Sequence, residues 1–380
     1  MAQEYKNICI VGAGASGCIC AYYLLKQGLE VTIFDYASPL RTLLPTGGGR
    51  CNLAHAEYDF KDLAKNYPRG EKFLYSIFSK FSTYDTLALF EEMGIKTYTQ
   101  ENNRIFPESN SAKEVRETIL KHIRNAKFQK EKVVGIKKLV NGFKIKTDKS
   151  DYLFSDVVIA TGGHSGYNLA ENFDINIIPP KPSLVGLKTK ENFKELSGTV
   201  VKNVKYGNIV DDILFTHFGI SGPLIYKISS LKAFDNLPYQ LELDLCSNLD
   251  NLQEILNSNP HKEIKNILSE YLPQKISLFL LKNLDPTQKA HTIDGKTRDK
   301  IIEKIHKFNT EVIGTNLGEE TVTAGGVDLD EINSKTMESK KIKNLYFIGE
   351  VLNIDGFCGG FNLQNAWSTA FVAAQSILSN

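Results

Sequence analysis

With 380 residues, 42% hydrophobic and 23% charged, the chain can bury a sizeable core, is long enough for two or three domains, and has the composition of an ordinary globular protein. Its 45 basic against 44 acidic side chains leave a net charge of +1, which, a local basic patch aside, argues against a nucleic-acid partner held mainly by counterion release. No apolar run reaches the roughly 18 to 20 residues that cross a bilayer, and the opening MAQEYKN lacks a signal peptide's charged-then-apolar layout, so no membrane partner and a cytoplasmic location are expected.

In chain order, residues 7–11 (NICIV) are predicted as a buried strand that stops at glycine. Residues 15–27 are predicted as a helix ended by Gly28, and 30–34 (EVTIF) as a second strand, which together make a right-handed βαβ unit. Gly47, Gly48 and Gly49 form a flexible loop suited to phosphate. Residues 71–93 and 112–125 have the pattern of amphipathic helices, and 132–137, 143–147 and 156–160 that of strands, the last running into Thr161-Gly162-Gly163. PPKPSLVGLKT, beginning at Pro179, is predicted as a linker or edge segment. Short alternating strands are expected over 186–246, among them 239–245, and helices over 251–313 with breaks at Pro260, Pro273 and Pro286. Strand 344–349 (NLYFIG) and helix 363–378 close the chain. The fold class is α/β: a Rossmann-like domain of residues 1–182 and 322–380, interrupted by an inserted domain of 183–321 that is β-rich over 183–248 and helical over 249–313.

Gly12-Ala13-Gly14-Ala15-Ser16-Gly17 matches G-x-G-x-x-G between a predicted strand and helix. Gly12 permits the tight turn, Gly14 lets the backbone approach a pyrophosphate, and Gly17 allows close packing of helix on strand. Backbone N–H groups and the positive end of the helix then face the negative charge. Asp35 ends the next strand, at the offset of about 20 residues expected for a carboxylate on ribose hydroxyls. This element does not separate FAD from NAD. The C-terminal run from Gly349-Glu350 through Asp355-Gly356-Phe357-Cys358-Gly359-Gly360-Phe361-Asn362 into a helix at Leu363 separates them better, because a helix start aimed at a flavin stabilises charge on the reduced ring. The six cysteines form no Cys-x-x-Cys pair, so neither a metal site nor a disulfide redox centre is expected.

These residues resemble the BaiN-like (YhiN-like) flavoproteins, a family of FAD-dependent NAD(P)/FAD oxidoreductases in the glutathione-reductase-like superfamily. The resemblance rests on VGAGASG, GGGRCN, RIFPESNSA, IATGG, FTHFGISGP, TAGGV, KTMESK and GEVLNIDGFCGGFNLQNAW, spread over almost the whole chain. It implies a split FAD domain with an inserted domain. Gly12, Gly14, Ala15, Ser16 and Gly17 would hold the pyrophosphate and Asp35 the adenosine ribose. Gly49, Arg50, Cys51 and Asn52 would line the flavin side, and Val133 would meet the adenine through its backbone. Thr161 and Gly162 would pass near the pyrophosphate, while Gly349, Glu350, Gly360, Phe361, Asn362 and Leu363 would reach the ribityl chain and ring. The sequence departs from the family pattern at Asp35, Asn353 and Cys358, and the glycine-rich stretch after ATGG is cut down to His164-Ser165-Gly166-Tyr167.

Three catalytic candidates follow. His217 and His164 are possible proton donors, and Cys51 a charge-transfer thiolate beside Arg50; each has the plainer alternative of a packing, capping or hydrogen-bonding role. Ser221 near His217 makes no hydrolase, since no acidic partner and no G-x-S-x-G elbow is present. A second G-x-G-x-x-G for nicotinamide is absent, so NAD(P)H as donor would bind transiently. The leading expectation is an FAD-dependent oxidoreductase moving hydride between flavin and a small organic substrate. The alternatives are a flavin enzyme acting on tRNA and a flavin-binding protein without turnover.

Overall fold

The computed structural model describes residues 6–163, 165–316, 318 and 322–380. The chain divides into two compact units, Met1–Lys181 with Val322–Asn380, and Pro182–Thr321.

In the first unit five parallel strands lie in the order Leu345–Phe347, Asp156–Ile159, Asn7–Val11, Glu30–Phe34, Lys127–Gln129. The two runs NICIV and DVVI are buried almost throughout, as strands covered on both faces must be. The register sets Val11 between Ile159 and Phe34, so the central strand's C-terminal end opens onto both neighbours. Helix Ala15–Lys26 packs along the C-terminal helix Phe361–Ser379, with Tyr23 edge-on to Phe371 at 5.0 Å. A meander of Val133–Leu139, Gly142–Thr147 and Asp151–Phe154 turns Phe143, Ile145 and Phe154 inward, where Phe34 meets Tyr152 and Phe154 edge-on. A small sheet of Ala54–His55, Arg104–Pro107 and Thr97–Thr99 completes the frame of the site.

Where the sequence suggests one helix over 71–93, there are two, Glu71–Phe78 and Thr83–Glu92. Ser82 and Asp85 form a capping box, with the Ser82 N–H donating to the Asp85 carboxylate at 2.7 Å, and this restarts the chain as a new helix. The proline-rich segment is the strand Ile177–Ser183, paired with Val322–Val327 in a two-stranded sheet, a setting that leaves prolines a side with no donor required.

The second unit is built on a six-stranded antiparallel sheet in the order Val200–Tyr206, Ile209–Phe215, Gly219–Ser221, Leu187–Thr189, Phe308–Thr315, Tyr239–Leu243. Its own core holds Phe215, Leu241, Ile267, Ile305 and Val312. Helices Leu252–Ser258, Ile264–Leu268, Gln274–Leu280 and Gly295–His306 account for about half of the stretch read as helical. That reading runs too far, because Phe308–Thr315 is a strand. Phe308, Thr310 and Val312 are buried in alternation with exposed Asn309, a period of two that follows the helix directly and is masked by it.

Candidate functional site

The first turn is shaped by contacts that leave no room for side chains. At Gly12 (φ +110°) a Cβ would lie 2.3 Å from the Ala160 carbonyl oxygen, and at Gly17 one would lie 2.1 Å from that of Gly12. Gly14 differs: a Cβ there meets nothing within 4 Å. It is the N-cap of helix Ala15–Lys26, and no side chain caps that helix start, so the first N–H groups have neither an intrahelical nor a side-chain cap partner. Asp35 closes the turn from the next strand, its two carboxylate oxygens each accepting a backbone N–H at 2.8 Å, from Ala13 and Ala37. Each oxygen keeps a lone pair for a further donor. The Asp35 N–H donates to Gln129 O at 3.1 Å, and Val133 follows four residues after Gln129 at the start of the meander.

The second turn lies beside the first. At Gly349 (φ +73°) a Cβ would lie 2.5 Å from the Ser16 hydroxyl, and the Gly349 N–H donates to the Thr369 hydroxyl at 3.0 Å. The Glu350 carboxylate accepts the Thr323 N–H at 2.9 Å. Thr161 and Gly162 continue the strand between the turns, and the space a Gly162 side chain would fill is open. Tyr167 folds back to donate its hydroxyl to Gly163 O at 2.7 Å, and burial with the Glu350 charge pushes that phenol up to about 12.

Helix Phe361–Ser379 begins at Gly360 (φ +97°), where a Cβ would meet Ala54 O at 2.4 Å, again with no side-chain cap. Asn362 clips its own loop, donating to Gly356 O and accepting the Gly356 N–H, both at 2.8 Å. Leu363 is half-buried against the core. Phe361 stacks on His55 at 4.6 Å, and His55 Nδ1 lies 3.1 Å from Gly359 O. Opposite, Gly47, Gly48 and Gly49 all adopt positive φ in one tight turn rather than a flexible loop, and the Arg50 guanidinium lies over the Phe106 ring at 4.2 Å.

Cys51 is fully buried at positive φ, and burial pushes its thiol up to about 12. That burial favours a packed thiol over the charge-transfer thiolate expected from the sequence. His217 belongs to the second unit, on the exposed turn between Ile209–Phe215 and Gly219–Ser221, edge-on to Phe218 at 5.2 Å. His164 lies outside the described residues. No group of three or more potential metal ligands occurs among the described residues.

Several residues that hold the site have no local motif. The Arg69 guanidinium pairs with Asp355 through two hydrogen bonds, and Asp355 is fully buried. Tyr67 donates its hydroxyl to Phe361 O at 2.6 Å, and Trp367 its indole N–H to Leu53 O at 2.9 Å. His55 and Arg69 join segments about 300 residues apart in sequence, and only the pairing of YPRG with NIDGF could have signalled the ion pair.

A dinucleotide with a flavin ring fits this arrangement. Two uncapped helix starts, the open positions at Gly14 and Gly162, and the buried oxygens Asn52 Oδ1 and Thr161 Oγ1, which have no hydrogen-bond partner, are provisions for a polar ligand.

The family model described as HI0933-like protein Rossmann domain matches residues 6–376. The chain is 32% identical to the ribosomal RNA dihydrouridine synthase of Haemophilus influenzae, over 99% of both chains. It is 25% identical to the 3-dehydro-bile acid delta(4,6)-reductase of Clostridium scindens, over 98% of both. Among solved structures, the open conformation of a flavocytochrome c3 fumarate reductase shares the fold, with a TM-score of 0.52 at 12% identity over 100% of this chain and 79% of that one. The chain belongs to the HI0933-like family of Rossmann-fold, FAD-dependent oxidoreductases.

Proposed function

We propose that this protein reduces the carbon–carbon double bond of a uridine in ribosomal RNA, with NAD(P)H as the electron donor. The observation that carries the reading is the end-to-end similarity, 32% identity over 99% of both chains, to a ribosomal RNA dihydrouridine synthase. The more distant relative, by its name, reduces double bonds of a 3-dehydro bile acid. The two substrates share a chemistry, a double bond conjugated to a carbonyl. Reduction adds a hydride at the carbon β to the carbonyl and a proton at the α carbon.

FAD, when bound, supplies the hydride, and the protein supplies binding, orientation and electrostatics. In this reading the N–H groups from Gly14 to Gly17 hold the pyrophosphate, with Thr161 and Gly162 beside it. Asp35 accepts from the adenosine ribose, and the Val133 backbone meets the adenine. Gly49, Arg50 and Asn52 line the ring, with Cys51 packed behind them. Glu350 and the turn from Gly360 to Leu363 would hold the ribityl chain and ring, and the helix start there would favour negative charge. His217 and His164 stand as candidate proton donors.

The test is nucleoside mass spectrometry of ribosomal RNA lacking dihydrouridine, incubated with the FAD-loaded protein and NADPH or NADH. A uridine heavier by two hydrogens is expected. The reading fails if RNA is unchanged while a small conjugated enone drives NAD(P)H oxidation, the result that would favour the small-molecule reductase.

A further inference from the structure

The net charge of +1 conceals a strong asymmetry. Residues 121–149 carry ten lysines and arginines against two carboxylates, +8, while the rest of the chain carries 35 against 42. Nine of those ten cations are exposed, with Lys138 half-buried. The meander concentrates them. Its inner face buries Ile136, Phe143 and Ile145, so the alternation of the strands places Lys137, Lys144 and Lys146 outward.

The register then sets Lys137 directly opposite Lys144, and Gly135, with no side chain of its own, opposite Lys146. Like charges facing across a ladder destabilise a sheet. Across the ladder Asp151 offsets Lys144, with which it pairs at 2.7 Å. No carboxylate lies within ion-pair distance of Lys132, Lys137 or Lys146 among the described residues. The same face exposes Leu153 at 64% and Val134 at 42%, apolar surface between the cations.

We infer that the outer face of this meander is a docking surface for the phosphate backbone of a folded RNA, with Lys137, Lys144 and Lys146 on the phosphates. A polyanion with regularly spaced charges removes the Lys137–Lys144 repulsion and releases its own counterions, which favours binding without reading any base. This rests on the proposed RNA substrate and deepens it, since such a surface holds a large RNA while chemistry proceeds at one nucleotide.

The test is fluorescence anisotropy of the FAD-loaded protein with a transcribed ribosomal RNA fragment between 50 and 200 mM KCl. The K137Q/K146Q variant is expected to bind roughly tenfold more weakly, and its salt slope to fall by roughly 0.7–0.9 for each phosphate that no longer meets a lysine. K137R/K146R restores both. FAD content and melting temperature stay at the wild-type value in each. Wild-type affinity and slope in the Gln variant overturn the proposal, as does lysine-dependent binding to phosphatidylglycerol vesicles with no binding to RNA. If RNA binding follows the lysines while no dihydrouridine forms, the substrate reading falls and the docking surface stands.

Discussion

The turn at Gly12–Gly17 and the turn at Asp355–Gly360 each lead into a helix with no side-chain cap, and they are held by different means. In the first, the constraint is steric and local: Gly12 and Gly17 sit where a Cβ would enter a carbonyl oxygen, at 2.3 and 2.1 Å. In the second, the steric exclusion at Gly360, where a Cβ would lie 2.4 Å from the Ala54 carbonyl oxygen, is joined by side chains that hold the loop, with Arg69 on Asp355, Tyr67 on Phe361 and Asn362 on its own Gly356. A turn shaped by missing side chains fails when one is added. A turn shaped by hydrogen bonds fails when a partner is removed.

That contrast sets an order of effects. Gly17→Ala forces a backbone shift and is expected to cost about 3 kcal/mol or more, with loss of soluble, FAD-loaded protein. A wild-type melting temperature with full FAD content would break the steric account. Asp355→Asn removes the buried carboxylate charge that pairs with the Arg69 guanidinium, itself only 14% exposed. The expected cost is about 3–5 kcal/mol, read as a fall of about 10 °C in thermal unfolding. Asn362→Ala removes the two bonds to Gly356 and is expected to cost about 2 kcal/mol, with weaker FAD retention in gel filtration. Equal losses from Asn362→Ala and Gly17→Ala would erase the difference between the turns.

The first turn was legible because its determinants lie within about 30 residues: strand, glycines, helix and Asp35. The strands Asn7–Val11 and Glu30–Phe34 fall where the runs NICIV and EVTIF place them. The second turn was legible as a glycine run, but not its support, because Arg69 and Asp355 stand 286 positions apart and neither belongs to a periodic pattern. Local signals also misled where two were superimposed. The helical period of 71–93 hid the Ser82–Asp85 capping box, and the helix ending at His306 hid the alternation of Phe308–Thr315. The charge of residues 121–149 was present in the sequence, but only the strand register shows which lysines share a face.

The most direct measurement concerns Gly14, the glycine of the first turn whose missing side chain faces open space. If the first turn holds a pyrophosphate, Gly14→Ala is expected to lower apo-protein stability by less than about 1 kcal/mol, the scale of an N-cap change, while FAD affinity falls tenfold or more. FAD bound at wild-type affinity by a normally folded Gly14→Ala protein would contradict the account.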